Sequence, residues 1–242
     1  MSKRTSLSLK IFVSVTFLLL AATAILAACG SSSGTATASS SSSTSSSATA
    51  GHPGSGGSNA RSGPASGGAS GTVGSVSTSS FTLSTSAGVK VTVDEASSTT
   101  YQNGTISISA SAITNGESVL VLGTVNTTNG TTIAATQVIV QPTGSGGSAA
   151  SSAAGVVPFQ RGVPTTSKQV GQIPANYSQG SGTIVSGTTA NKATEAALAA
   201  YPGGVVDRVV KLSNGEYEVH NIGVNWPHHV FVNQDFKVVG AD

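Results

Sequence analysis

The stretch Ser118–Val140, SVLVLGTVNTTNGTTIAATQVIV, predicts the centre of the fold. Apolar residues fill positions 119–125 and recur through 133–140, which is the composition of two β-strands. Asn129-Gly130 lies between them, and this dipeptide favours a tight hairpin turn because it tolerates positive φ at both central positions. The stretch therefore predicts an antiparallel hairpin, and no helical period appears around it.

Further short strands with turn residues between them precede this hairpin. They cover Thr72–Val76, Phe81–Ser84 and Val89–Val93, and Ser86-Ala87-Gly88 joins the second to the third. Five or six short strands in about 70 residues predict a small closed β-barrel over residues 70–141, because closure removes the exposed edges of a lone sheet.

This segment resembles the bacterial domain of unknown function 5666, an OB-like barrel family common in lipoproteins and surface proteins. The resemblance is carried by Gly71-Thr72-Val73, Phe81-Thr82-Leu83, Val91-Thr92-Val93, Gly116-Glu117-Ser118-Val119 and Ile133-Ala134-Ala135-Thr136-Gln137-Val138. It implies an OB-like barrel, and its strand motifs carry no chemistry.

Nucleic acid is excluded as a partner of the predicted barrel. Proteins that bind single strands need a basic groove and aromatic side chains on which bases stack. The only cation of residues 70–141 is Lys90, which stands against three acidic residues. The aromatic residues are Phe81, expected in the core, and Tyr101.

Residues 181–242 predict an α+β domain. Thr188 or Thr189 can cap a helix that runs to Tyr201, and Pro202-Gly203-Gly204 ends it. Four strands follow in two hairpins, at 205–212 with 216–222 and at 230–232 with 236–239. The whole chain is therefore expected to be mostly β, with one helix on a roughly four-stranded antiparallel sheet at its C-terminal end.

This helix-then-sheet order resembles the PepSY family of secreted peptidase propeptides and bacterial surface proteins. The resemblance is carried by Ala196–Gly204, Val206–Val209, Gly215–Val219 and Val230–Val239. The chain departs from the family at 222–229, where members often have a short Asp-Gly turn. The resemblance implies inhibition or restraint of a peptidase, or protein binding in the envelope.

Trp226, His228 and His229 are the candidate partner-binding residues of this domain. An exposed Trp beside two imidazoles would suit a binding hot spot; the alternative is a Trp packed on the sheet with solvated histidines. Adjacent residues of a strand point to opposite faces, and no Cys or third His stands at ligand spacing. We therefore predict no metal site.

No catalytic unit is found in the sequence. Glu216, Glu218 and Asp207 could suggest paired carboxylate chemistry, but a solvated sheet face with charge pairs to Arg208 or Lys211 is the favoured interpretation. Nucleophile elbows, phosphate-binding loops and zinc-protease motifs do not occur. We expect neither an enzyme nor a cofactor.

Residues 1–28 predict a lipoprotein signal peptide. A basic start is followed by an uncharged run, and Leu26-Ala27-Ala28-Cys29 resembles the lipobox of bacterial lipoproteins. The resemblance implies cleavage between Ala28 and Cys29 and a diacylglycerol on the Cys29 thiol. Cys29 is the only cysteine, so it has no disulfide partner. An uncleaved membrane helix or a plain secreted protein are the alternatives.

Two segments rich in Gly, Ser and Ala predict spacers. Residues 29–69 read as a disordered tether, and residues 142–180 as a linker followed by an extended segment or a strand along the last domain. Three of the 11 basic residues lie in the signal peptide, which leaves 8 against 9 acidic residues. The net positive charge of the full sequence therefore comes from the predicted signal peptide.

These features predict a protein held by lipid at the extracytoplasmic face of a bacterial cell membrane. We expect two small non-catalytic domains that bind a protein or a cell-wall component. A PepSY-type inhibitor or regulator of a peptidase is the alternative, and a passive surface spacer is another.

Overall fold

The first described strands close into a barrel. The computed structural model describes residues 64–126 and 128–242; the signal peptide and most of the predicted tether lie outside them. β1 pairs with β2, β2 with β3, β3 with β7 in parallel, β7 with β6, and β6 with β1. The strands of this part are β1 (Ala65–Val76), β2 (Ser80–Thr85), β3 (Lys90–Asp94), β4 (Thr100–Asn103), β5 (Ile106–Ser107), β6 (Ser118–Val125) and β7 (Thr132–Val140).

The barrel and its central hairpin confirm the prediction for this segment at the level of architecture. β6 and β7 pair antiparallel from Val119↔Val140 to Val125↔Ile133, and Gly130 in the turn has a positive φ of 66°. Alternate side chains of the strands point inward, as the pleat of a strand requires. The interior is filled by Val73, Phe81, Leu83, Val91, Val93, Val119, Val121, Val125, Ile133 and Val138.

The predicted tether boundary at residue 69 is wrong, because β1 already begins at Ala65. Residues 65–72 pair with β6 along one edge of β1. Along the other edge, Gly68 and Ala69 pair with a strand of the C-terminal part, and from Gly71 onward β2 takes that edge. A Cβ on Gly67 would overlap the Val206 carbonyl of β11. The small residues that the sequence analysis assigned to the tether are therefore needed for the close approach of β1 to β11.

In the C-terminal part the hydrogen-bonded strands continue from β1 in the order β11-β12-β14-β15-β9, with β10 also on β11; we call this portion of the continuous sheet the second sheet. Both predicted hairpins of this part are present. Its elements are α1 (Ser148–Ala154), β8 (Val157–Pro158), β9 (Val170–Gly171), β10 (Thr183–Ile184), α2 (Gly187–Ala200), β11 (Val205–Lys211), β12 (Tyr217–Ile222), β13 (Val224–Trp226), β14 (His229–Val232) and β15 (Val238–Ala241).

Helix α2 covers one face of the second sheet. Its N-cap is Ser186, so neither Thr188 nor Thr189 caps it as predicted. The expected small-residue face is buried and packs against one apolar cluster that includes side chains of β6. The members of this cluster are Leu120, Leu122, Ala190, Ala193, Ala197, Leu198, Val206, Val209, Tyr217, Val219, Val230 and Val232.

The segment predicted as linker runs along the second sheet. β8 pairs with β13, and β9 pairs with β15, which agrees with the expected strand along the last domain. We call residues 156–181 the covering segment. Because β1 also pairs with β11, hydrogen-bonded strands run across the boundary that the sequence suggested between two domains. Neither of the two α-helices in the described residues has the length and hydropathy needed to cross a bilayer.

Candidate functional site: a histidine cleft and an amide groove

Trp226 is buried, so the prediction that it is an exposed binding residue is wrong. Its side chain is 1% exposed, and its indole Nε1 donates a hydrogen bond to the Lys168 carbonyl oxygen at 2.7 Å. The Lys168 ammonium lies 4.2 Å from the ring centre, and Tyr201 packs edge-on against the same ring at 5.4 Å. Trp226 therefore fastens the covering segment to the second sheet and offers no surface to a partner.

His228 and His229 line one cleft, contrary to the expectation that they face opposite ways. Their ring centres are 6.5 Å apart. β14 begins at His229, and His228 lies in a bend before it, so the alternation of a strand does not apply to this pair. The structure thus brings together two candidate residues that sequence reasoning had separated.

A third histidine, His220, joins them from the neighbouring strand. β12 and β14 pair with His220 opposite His229, and their ring centres are 5.2 Å apart. The distance from the His220 ring to the His228 ring is 6.5 Å. The sequence analysis missed His220 because only the strand register places it beside His229, eight or nine residues from the other two.

Asp207 and Glu218 are buried beneath these rings, so the interpretation of a solvated carboxylate face is wrong for them. Each is 2% exposed. His220 Nδ1 lies 2.6 Å from Asp207 Oδ1, and His229 Nδ1 lies 2.7 Å from Glu218 Oε1. Arg208 Nη1 approaches Asp207 Oδ1 at 4.0 Å. The imidazoles supply the hydrogen bonds that these buried carboxylates need.

Tyr177 of the covering segment closes one side of this arrangement. Its hydroxyl lies 3.0 Å from His229 Nδ1, and its ring packs edge-on against Phe231 at 4.8 Å. Burial, followed by the nearby Glu218 carboxylate, raises the pKa of Tyr177. The phenol therefore stays protonated and neutral beside the histidines over the physiological range.

The three Nδ1 atoms all point into the protein. Carboxylate oxygens face two of them, and the Asn221 carbonyl oxygen faces His228 Nδ1 at 3.2 Å. An ionised carboxylate and a carbonyl oxygen only accept, which assigns the proton to Nδ1 of each ring; the Tyr177 hydroxyl near His229 Nδ1 is then a second acceptor for that N–H group. Burial lowers the pKa of His228, with a contribution from the other two imidazoles. We call the cavity of about 550 Å³ in front of the rings the histidine cleft; Thr165, Thr166, Ser167, Gln179 and Asp242 complete its lining.

A larger cavity of about 1060 Å³ lies between the barrel and α2. We call it the amide groove, because carboxamides from β4, β7 and α2 and from the loops around them line it. Three charged side chains, Glu117, Lys192 and Glu195, stand at its border, and Gln137 Nε2 donates to Gln102 Oε1 at 3.0 Å. The carboxamides are those of Gln102, Asn103, Asn115, Gln137, Gln141 and Asn191.

No group of three or more His, Cys, Asp or Glu side chains in residues 64–126 and 128–242 is arranged, as it stands, to hold a metal ion. Ala28 and Cys29 lie outside the described residues, so the lipid attachment site stays a prediction. No family model, curated protein or solved structure matches the chain. The resemblances to the domain of unknown function 5666 and to PepSY likewise stay predictions.

Proposed function

We propose that this chain is a lipid-anchored protein of the bacterial cell envelope that binds a hydroxyl- and amide-rich cell-wall polymer in the amide groove. A diacylglycerol on Cys29 holds it at the extracytoplasmic face of the membrane. The Gly- and Ser-rich sequence between Cys29 and β1 is the proposed spacer to the wall. The observation that carries the proposal is the concentration of six carboxamides around one groove.

The chemistry of the lining supports a polyhydroxylated ligand. Each carboxamide offers both donors and an acceptor, which matches sugar hydroxyls and N-acyl groups that also donate and accept. Small-molecule pockets are mostly apolar, and the hot spots of protein interfaces are rich in Trp, Tyr and Arg. Among the described residues that line the amide groove, none belongs to these three types. The groove therefore suits a glycan polymer better than a folded protein.

The construction of the groove supports binding without large rearrangement. Gln102 and Gln137 lie on β4 and β7, which pair directly in parallel. Asn191 lies on α2, whose opposite face is fixed in the apolar cluster of the second sheet. Walls formed by a paired sheet and a packed helix hold their polar groups ready for a ligand, which reduces the entropy lost on binding.

Binding of the full chain to purified cell-wall sacculi tests the proposal. We expect the lipidated protein, kept in detergent, to sediment with sacculi. The double variant Gln137→Ala, Asn191→Ala should reduce the bound fraction at least about tenfold, because two hydrogen-bonding partners together are worth roughly 2 kcal/mol. Gln160→Ala is the matched control, since Gln160 is exposed in the covering segment and lies outside the groove.

Two outcomes would overturn the proposal. Equal sedimentation of the double variant and the control would move the binding site away from the amide groove. The chain could instead fail to sediment and capture an envelope peptidase whose activity falls when the chain is added. That result would favour the alternative function, an inhibitor or regulator of a peptidase. The anchor is tested separately: Cys29→Ser should abolish labelling by a clickable palmitate, and labelling that persists would contradict it.

A further inference from the structure

We propose that His220, His228 and His229 bind a divalent transition-metal ion, Zn²⁺ in the first instance, through their three Nε2 atoms. The inference is independent of glycan binding, because the histidine cleft and the amide groove share no lining residue. It concerns a site formed by the register of β12 and β14 and by the bend at His228.

The protonation of the rings leaves the correct atoms free. Each Nδ1–H group donates a hydrogen bond: that of His220 to Asp207, that of His229 to Glu218, and that of His228 to the Asn221 carbonyl oxygen. In the neutral imidazole the other nitrogen then carries a lone pair, and it points away from the first, toward the cleft. With this tautomer at each ring, three Nε2 lone pairs are left for one cavity that all three residues line.

The ring separations require movement of one residue only. Zinc held by three imidazoles at about 2.0–2.1 Å in a tetrahedral set brings ring centres to about 5 Å from each other. His220 and His229 already meet this condition at 5.2 Å. Both longer separations, 6.5 Å each, involve His228. This residue lies in the bend between β13 and β14, so its ring can approach by side-chain rotation, which changes the 3.2 Å contact of its Nδ1 with the Asn221 carbonyl oxygen.

The surroundings are those that a ligated imidazole requires. Ligating histidines usually donate their second ring nitrogen to a carboxylate or carbonyl, which fixes the ring and raises its basicity as a ligand. Here the Asp207 and Glu218 carboxylates are the acceptors for two of the rings, and the Asn221 carbonyl oxygen is the acceptor for the third. A divalent ion would also offset the negative charge of these two buried carboxylates. Asp242 lines the same cleft.

The donor set selects the class of ion. Imidazole nitrogen suits Zn²⁺, Cu²⁺ and Ni²⁺, whereas Mg²⁺ and Ca²⁺ require oxygen ligands in larger number. With three protein ligands the fourth tetrahedral position is open to water, as it is in catalytic rather than closed structural zinc sites. The site is therefore expected to bind a transition-metal ion such as Zn²⁺, Cu²⁺ or Ni²⁺ and not to bind Mg²⁺ or Ca²⁺.

Titration of the full chain with ZnCl₂ after chelator treatment tests the site. We expect one Zn²⁺ per chain by calorimetry, a rise in the thermal midpoint on Zn²⁺ addition because the ion binds the folded state, and no response to MgCl₂. Co²⁺ should give the intense visible bands of a tetrahedral complex. His228→Gln is the principal variant, because His228 lies in a bend and contacts no buried carboxylate through Nδ1; it should weaken binding at least about tenfold.

Two further variants sharpen the test. His52→Gln is the matched control, since His52 is the remaining one of the four histidines, and it should bind Zn²⁺ as the parent does. Asp207→Asn keeps all three ligands and should weaken binding by about 10–100-fold through the orientation of His220. Absence of Zn²⁺ binding by the parent chain, loss of binding in the His52 variant, or unchanged affinity in the His228 variant would overturn the proposal.

Discussion

The barrel and the second sheet bury very different side chains, although both are built from short antiparallel strands. In the described residues, the buried charged side chains Asp207, Arg208 and Glu218 all lie on the second sheet. The barrel interior is an apolar cluster to which Tyr101 adds a phenol at the edge. A buried strand face is therefore not necessarily apolar. The groups of the element that covers the face decide whether it can hold charged side chains.

The cause lies in the number of faces each sheet must cover. The barrel closes around one interior, and β2 and β3 leave their other face to solvent, so buried and exposed residues alternate along them. β6 differs, because its outer side chains Leu120 and Leu122 pack in the apolar cluster under α2. The second sheet has α2 on one face and the covering segment on the other. That segment brings Tyr177 and several hydroxyl-bearing residues, so the face beneath it can hold ionic groups that find hydrogen-bonding partners.

Removal of an aromatic ring from the barrel interior has the largest expected effect. Phe81 is 2% exposed, and Phe81→Ala should lower the free energy of unfolding by about 3–5 kcal/mol because it loses burial and leaves a cavity. Urea denaturation measures this. Phe159→Ala is the control: its side chain is 59% exposed, and we expect a change within about 0.5 kcal/mol. Similar losses in both variants would mean that the barrel interior is not packed as described.

Removal of a buried carboxylate tests the ionic face of the second sheet. Glu218→Ala removes the carboxylate that faces His229 Nδ1 and leaves only the Tyr177 hydroxyl beside it, and it should cost about 1.5–3 kcal/mol, the range for hydrogen bonds to charged groups. Glu216→Ala, two residues earlier and only partly buried, should change stability by less than about 0.5 kcal/mol. Chemical denaturation at pH 7 compares the two. Equal and small effects of the two substitutions would mean that Glu218 lies on a solvated face, as the sequence suggested.

The smallest effect at neutral pH is expected at the edge of the barrel core. Burial, followed by the hydrogen bond from the Tyr101 hydroxyl to Glu95 at 2.7 Å, raises the pKa of Tyr101 to about 12. The unfolded chain loses this proton near pH 10, so the stability that Tyr101 contributes is complete below pH 10 and is lost as the pH rises toward about 12.

Tyr101→Phe isolates this contribution. At neutral pH the variant should differ from the parent by about 1 kcal/mol, the value of one hydrogen bond. Between pH 10 and about 12 the parent should lose stability more steeply than the variant, because the other tyrosines are common to both. Denaturation curves across this range measure the difference. Parallel slopes would contradict the raised pKa and the buried position of this phenol.

Much of the architecture could be predicted, because local patterns carry it. Alternation and the turn at Asn129-Gly130 located the β6–β7 hairpin, and the spacing of Ala190, Ala193 and Ala197 gave the buried face of α2. The start of β1 could not be predicted. Its Gly, Ser and Ala residues lack apolar bulk, and they belong to a strand only because β6 and β11 approach them closely from both edges.

The candidate sites depended far more on tertiary structure. His228 and His229 were identified from the sequence, but their shared cleft, and His220 within it, follow from the bend before β14 and from the strand register. Trp226 looked like an exposed anchor, yet the Lys168 carbonyl accepts its indole proton inside the protein. The amide groove draws on residues from 102 to 195 and has no local signature at all.

The sequence by itself determined the short strands, their turns and the single long helix of the described residues, because hydrophobic period and turn chemistry act between near neighbours. Only the tertiary structure decided which polar residues are buried and which meet. Those outcomes depend on pairing between distant strands and on the covering segment, whose free energy comes from contacts that no local pattern encodes.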